Sequence, residues 1–202
     1  TRLPYAPMPA TMEMAVHISD PEHAAQCVTD VSAVGPLVTA YACTSGSFVG
    51  GPLAEQALVE AMLAAGSPLA LTTSGALLSA LRYLGYTRVA TATPYTADLT
   101  VGLTAFLGES GIEVTAAAGL GLTSDIWTVP HDVTAQLVRE TDTDDAQAVF
   151  ISCTNLPTYD VIADLEHELG KPVLTANQVT MWHSLSLIGR KAVGPGQQLM
   201  ER

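Results

Sequence analysis

The order of apolar and polar positions divides the chain into short strand-like runs separated by stretches of helical period. From Leu37 onward, runs rich in β-branched and small apolar residues alternate with segments whose apolar positions recur at i, i+3 and i+4, the pattern of βα units on a parallel sheet. Strands are predicted at residues 37–42, 69–72, 88–93, 112–116, 148–152 and 173–176. Helices are predicted at 52–65, 75–84, 97–110, 133–139, 158–169 and 179–188. The first fifteen residues carry three prolines and three methionines and read as an irregular lead-in to a helix over 21–32. Asp20 caps that helix, since its side chain accepts an orphan amide while Pro21 suits the first helical position. A charge-free stretch over 31–54 contains Gly35, Pro36, Gly46, Gly50, Gly51 and Pro52, so it reads as strand, loop and helix start rather than a membrane span.

The same pattern occurs twice. Placing Pro68 on Pro172 brings Leu69 onto Val173, Leu81 onto Leu185, Leu84 onto Ile188 and Gly85 onto Gly189 without a gap. Upstream of each copy stands an apolar strand ending in the same dipeptide, Tyr41-Ala42-Cys43-Thr44 and Ile151-Ser152-Cys153-Thr154. This repeat predicts two similar α/β lobes related by an approximate two-fold axis, one formed by residues 1–86 with 177–202 and the other by 87–176. Ligands of open parallel sheets bind beyond the carboxyl ends of the strands, so both cysteines are expected to line one cleft between the lobes.

Composition narrows the partners. Of 202 residues, 48% are hydrophobic and only 14% charged, so much surface must be buried in a core or against another subunit, and a homo-oligomer is expected. Eight Lys and Arg against twenty Asp and Glu give a formal charge of −12, with no basic run to meet nucleic acid or a membrane surface. Three cysteines without a CxxC pair form neither a disulfide framework nor a zinc-finger spacing, and no basic-then-apolar signal opens at Thr1. A reducing cytoplasm is the expected compartment.

A thiol at a strand end beside a helix N-terminus meets unpaired amides that favour the thiolate, so Cys43 and Cys153 are candidate base, acid or nucleophile. Facing each other across a cleft, they would flank one carbon of a substrate. Thr44, Ser45, Ser47, Thr72, Thr73, Ser74, Thr154 and Asn155 supply neutral donors suited to a small carboxylate, and neither cysteine loop contains Lys or Arg. Cys27, within the 21–32 helix and without a matched partner, reads as core.

The segments Ala42-Cys43-Thr44-Ser45-Gly46-Ser47-Phe48, Arg88 to Tyr95 (RVATATPY) and Ile151-Ser152-Cys153-Thr154-Asn155 resemble the aspartate/glutamate racemase superfamily, nearest its maleate cis-trans isomerase and arylmalonate decarboxylase branches. The likeness runs from about Val38 to Gly189. It implies a pair of four-stranded parallel lobes, no metal and no organic cofactor, and an interlobe site where hydroxyls and amides grip carboxylate. By position, Cys43 would add to a double bond to give a thioether and Cys153 would move a proton, while Tyr95 matches a tyrosine that binds carboxylate. The decarboxylases share the Thr44 to Phe48 pattern but place glycine ahead of it and keep only the later cysteine, so Cys43 favours two-cysteine chemistry. The family begins with a strand and an Asn- or Pro-containing substrate loop; nothing before Leu37 matches, and that piece is expected upstream of Thr1. The loops Cys43-Thr44-Ser45 and Cys153-Thr154-Asn155 depart from those of glutamate racemases. In place of the mid-chain asparagine of maleate isomerases, the 119–127 loop offers Ser124 and Asp125.

The expected activity is therefore a cofactor-independent cis-trans isomerisation of a small dicarboxylate. Two alternatives stand beside it: a decarboxylase or racemase of substituted malonates in which Cys153 protonates an enediolate, and a non-catalytic carboxylate-binding protein. Gly119-Leu120-Gly121-Leu122 lacks the third glycine of a dinucleotide loop, and Ser74-Gly75 lacks the G-x-S-x-G elbow and reads as a helix cap. His183 reads as packing, the other histidines lack ligand spacing for a metal, and Asp142, Asp144 and Asp145 read as a solvated loop.

Overall fold

The computed structural model describes Thr1 and residues 7–201. Of the expected irregular lead-in, residues 2–6 lie outside the described residues and 7–11 are irregular, but residues 12–15 are helical: α1 (Met12–Ile18) begins at the Thr11 cap, whose side chain accepts from Met14 N. It turns only Ala15 and Ile18 into the interior. Helix α2 (Pro21–Val31) starts, as the Asp-Pro pair predicts, with Asp20 accepting from Glu22 N and Pro21 in the first turn.

Strand β1 (Thr39–Tyr41) leads into a five-residue helix, α3 (Thr44–Phe48), and then α4 (Gly51–Ala64). Strand β2 (Ala70–Thr72) runs parallel to β1, pairing Thr39 with Ala70 and Tyr41 with Thr72. Helix α5 (Thr73–Leu84) follows without a loop, because Thr72 at the strand end caps it, and Gly85 closes it in the left-handed conformation. The cap is thus Thr72 and not Ser74, which is buried inside the first turn.

The second sheet is built from β3 (Arg88–Thr93), α6 (Ala97–Glu109), β4 (Glu113–Gly119), α7 (His131–Thr141), β5 (Ala148–Ile151), α8 (Ile162–Leu169) and β6 (Val173–Thr175). All its pairs are parallel in the order β4-β3-β5-β6. Each crossover carries a helix, as parallel pairing requires. Among the described residues the first sheet has two strands where the resemblance implied four.

Helix α9 (Ala176–Leu187) repeats the α5 arrangement: Thr175 at the end of β6 caps it, here with a full capping box through Gln178. The two helices pack on one another, joining the halves of the repeat. Ser79 meets His183 at 3.4 Å across that contact, and the His183 ring stacks on Trp182, so this histidine packs between helices as expected. Burial, with Arg82 nearby, holds its pKa down. The core is a continuous apolar mass dominated by Leu77, Leu81, Leu99, Leu103, Phe106, Phe150 and Ile151, all fully buried.

Two acidic features differ from a uniformly solvated reading. Asp142 is half-buried and paired with Lys171 at 2.9 Å, while Asp144 and Asp145 are exposed. Glu166 is only 3% exposed and accepts from two backbone amides, Val173 N at 2.9 Å and Gln198 N at 2.7 Å. It thereby clamps the closing helix α10 (Gln198–Glu201) to the start of β6. No helix among the described residues is long and apolar enough to cross a membrane.

Candidate active site at two strand tips

Cys43 follows β1, as the predicted strand end places it, and stands at the N-cap of α3, a short helix where the pattern gave a loop. Its thiol lies 3.7 Å from Ser45 Oγ, with the backbone amides of Gly46 and Ser45 also directed at the sulfur. Cys153 follows β5 differently. The chain after it turns through Thr154 and Asn155 with no helix before residue 159, and Cys153 itself adopts a left-handed backbone with φ 84°. That conformation turns the amides of Asn155 and Leu156 toward its sulfur. Side chains rarely occupy this region, and non-glycine residues held there concentrate at functional sites.

The thiolate-favouring expectation fails for both cysteines. Burial pushes the Cys43 thiol up despite the amides of Gly46 and Ser45, and pushes Cys153 up to about 11. The short helix after Cys43 and the turn after Cys153 supply too few aligned amides to offset desolvation of a thiolate. Each sulfur also raises the cost of ionising its neighbours: Cys43 acts on Cys153, and both act on Tyr95. These effects place the two thiols and the Tyr95 hydroxyl in one electrostatic neighbourhood.

Tyr95 is 3% exposed, and burial drives its hydroxyl far above the usual tyrosine range. The hydroxyl is a hydrogen-bond donor to the Cys153 sulfur and lies 3.4 Å from Ser152 Oγ. Phe48 from α3 packs edge-on against its ring at 6.2 Å. The loop dismissed as a dinucleotide motif holds the tyrosine's backbone. Leu120 N donates to Thr93 O, Leu122 N to Pro94 O and Gly121 N to Tyr95 O, at 2.9–3.0 Å. Gly119 must be glycine there, because a Cβ would stand 2.7 Å from the Tyr95 carbonyl oxygen. Ser124 and Asp125 further along are exposed and bond one another.

The neutral donors named from the sequence divide into two groups. Thr44 is 1% exposed, and its Oγ1 has no hydrogen-bond partner among the described residues, beside Cys43. An unmet buried hydroxyl is costly and marks a place where a polar ligand atom would fit. Ser45 faces the Cys43 sulfur, and Asn155 is exposed at the other tip. Ser74, by contrast, is committed to Ser47 at 2.7 Å, and Thr73 to Thr180 at 2.9 Å. Thr154 Oγ1 donates to the carbonyl oxygen of Ala42 at 2.9 Å. Thr72 donates to Glu55 at 2.5 Å, and burial raises that carboxyl's pKa.

A cavity of about 410 Å³ opens beside β1, with Cys43 in its wall together with Tyr41, Ile18, Val28 and Met62. Cys153 is buried and not among its lining residues, so this cavity does not expose both thiols. Cys27, read as core, is instead half-buried in the same wall and close enough to Tyr41 to affect its ionisation. No group of three or more His, Cys, Asp or Glu side chains suited to a metal gathers among the described residues.

The sequence pattern of the arylmalonate decarboxylase family matches residues 12–200, spanning both strand tips and every helix named above. The chain belongs to that family. An arylmalonate decarboxylase from Bordetella bronchiseptica is 35% identical over 160 residues, covering 77% of this chain and 66% of the decarboxylase. A maleate isomerase from Nocardia farcinica is 29% identical over 198 residues, covering 91% of this chain and 79% of the isomerase. Among solved structures, a doubly substituted arylmalonate decarboxylase in its liganded form superposes with TM-score 0.86 at 31% identity, over 96% of this chain and 84% of that one. A cysteine-to-serine mutant of the Nocardia farcinica maleate cis-trans isomerase, with a covalently bound succinylcysteine intermediate, superposes with TM-score 0.87 at 25% identity, over 96% and 83%. The family is enzymatic, and its members near this chain include both activities.

Proposed function

We infer that this protein is a cofactor-independent isomerase of a small dicarboxylate, of the maleate-to-fumarate type, working through Cys43 and Cys153. The observation that carries the reading is the pair of cysteines at equivalent strand tips, with Cys43 raising the cost of ionising Cys153 and both acting on the Tyr95 hydroxyl. The isomerase relative that carries a succinylcysteine adduct supports the same chemistry here.

In this mechanism Cys43, as thiolate, forms an S–C bond to one alkene carbon. The neighbouring carbon takes a proton from Cys153, and the former double bond becomes a single bond free to rotate. Cys153 then takes the proton back, the S–C bond breaks, and the trans isomer leaves with no net gain or loss of atoms. A thiol held near 11 is a proton donor at neutral pH, which suits Cys153 to the first proton transfer. Cys43 must lose its own proton first. The amides of Gly46 and Ser45 and the Ser45 hydroxyl favour its thiolate against burial. The unpartnered Thr44 hydroxyl would hold a substrate carboxylate, joined by Tyr95 when its hydroxyl turns from the Cys153 sulfur to the substrate, with no cation needed to do so.

A second reading, decarboxylation of a substituted malonate with Cys153 protonating the enediolate, is favoured by the family match and the 35% identity to a decarboxylase. It gives Cys43 no covalent role. Proton NMR of the protein with maleate, aryl- and alkylmalonates and amino acids in deuterated water separates the readings. Fumarate formed from maleate is the expected result. Carbon dioxide release with deuterium at a new stereocentre selects the second, and inertness toward every acid leaves a carboxylate-binding protein. Replacing either cysteine by Ser is expected to lower isomerase turnover about 100-fold or more with the fold intact. Unchanged rates in both variants would remove the two-thiol mechanism.

A further inference from the structure

Thr154 differs from the other hydroxyls around the thiols in what it joins. Its Oγ1 donates to the carbonyl oxygen of Ala42 at 2.9 Å, across a sequence separation of 112 residues. Its own carbonyl oxygen accepts from Asn177 Nδ2 at 2.9 Å, in the first turn of α9. A chain of two hydrogen bonds therefore runs from α9 through the second strand tip to the first. Cys153 immediately precedes Thr154, and Cys43 immediately follows Ala42, so the tie lies one residue from each sulfur.

The position of the tie matters because the Cys153 backbone is in the left-handed region, where the side chain alone would not keep it. Besides the contacts to its sulfur from the Tyr95 hydroxyl and the Asn155 and Leu156 amides, the backbone around it is held by Ser152 N to Ala92 O at 2.9 Å on one side and the longer Leu156 N to Cys153 O contact of 3.3 Å on the other. Neither backbone bond reaches the Cys43 loop, and Tyr95 meets that side through its ring contact with Phe48. A reaction passed between two thiols also demands spacing held to a fraction of an ångström, which rotamers at two independent loops do not secure.

We propose that Thr154 is a positioning residue: its hydroxyl latches the two strand tips together and sets the spacing and orientation of Cys43 and Cys153. The inference rests on the two-thiol reading above and changes one part of it, because a hydroxyl spent on the Ala42 carbonyl is not a substrate ligand. Ala42 is exposed, so water can satisfy its carbonyl when the hydroxyl is removed, and the fold does not depend on the latch.

The test uses the full chain carrying Thr154→Val, which keeps the side-chain shape without the donor, and Thr154→Ser, which restores it. Two readouts are taken: steady-state kinetics on the acid that the wild type turns over, and alkylation of Cys43 and Cys153 by iodoacetamide followed by peptide mass spectrometry. In Thr154→Val, kcat is expected to fall about tenfold or more while KM stays within about threefold, and at least one of the two thiols alkylates about fivefold faster. Thr154→Ser is expected to return both readouts to within about twofold of wild type. Wild-type alkylation rates in Thr154→Val overturn the proposal, as does a raised KM with kcat intact, which would make the hydroxyl a substrate contact. Failure of Ser to restore them overturns it as well. Should the Val variant fold poorly, Asn177→Ala removes only the outer bond at an exposed position and is expected to speed Cys153 alkylation about twofold; no change overturns the latch. If the serine variants of Cys43 and Cys153 turn over normally, the two-thiol reading falls, and the alkylation comparison still decides whether Thr154 holds the tips.

Discussion

At the scale of single residues, Cys153 combines a backbone that glycine would prefer with a thiol that burial keeps protonated. Replacing it with Gly removes the steric penalty at φ 84°, so Cys153→Gly is expected to be as stable as wild type or more stable by about 1 kcal/mol in urea unfolding, while the activity is lost. A clear loss of stability would show that the sulfur's packing outweighs the strain. The pH dependence follows from the same burial. Folding raises the Cys153 pKa from the ordinary 9.0 to about 11, so the stability it lends is complete below the unfolded value and is lost as pH rises through the folded one. Chemical denaturation between pH 9 and 11 is expected to show a steeper decline for wild type than for Cys153→Ser; equal slopes would contradict the assignment. The thiols were legible in the sequence because the Cys-Thr repeat is a matter of spacing. Their ionisation was not, since desolvation depends on what packs over the loops, and Phe48 and Tyr95 reach the site from elements far apart in the chain.

At the scale of elements, most segments were readable, including the short strands β2, β5 and β6, each within one residue of its predicted range, whereas α1 and α3 were not. Helices α5, α6 and α9 and strand β3 lie within about three residues of their predicted ranges; α5, α6 and β3 turn several apolar side chains to one core, and α9 is fixed at its start by the Thr175 cap. Helix α1 was missed because its pattern buries only Ala15 and Ile18; its last turn is held instead by the Tyr41 hydroxyl donating to Ile18 O at 2.7 Å. Helix α3 is five residues of poor helix formers, and it persists through contacts outside itself, notably the Ser47–Ser74 bond. Gly46 in that helix lies so near Tyr41 that a Cβ would come 2.3 Å from the hydroxyl oxygen. Gly46→Ala is therefore expected to displace Tyr41 from Ile18 and lower stability by about 1–3 kcal/mol, read as an earlier urea midpoint. A variant with an unchanged midpoint would mean that α3 can shift freely, which would weaken the placement of Cys43 at its cap.

At the scale of the whole molecule, the repeat visible in the sequence becomes a pair of sheets whose capped helices, α5 and α9, pack against each other. The joint is partly polar, with Thr180 2.9 Å from Thr73 at the end nearest the strand tips, so relative movement of the halves would be felt there first. Leu77 is fully buried in the core beneath that joint, and Leu77→Ala is expected to destabilise the protein by about 2–5 kcal/mol with a single cooperative transition for both halves. Two separated transitions would show that the halves unfold independently. The sequence could reveal the repeated units but not which polar groups join them, because hydrogen bonds between residues about a hundred positions apart leave no local pattern.

The buried Glu166 gives residues 198–201 an unusual standing. Its carboxylate oxygens are divided between the amide that opens β6 and the amide that opens the last helix, so peeling residues 198–201 away would strand an anion in an apolar interior. The backbone amides of residues 198–201 are consequently expected to resist hydrogen exchange for as long as the sheet stays folded, and to exchange freely only when the sheet itself opens.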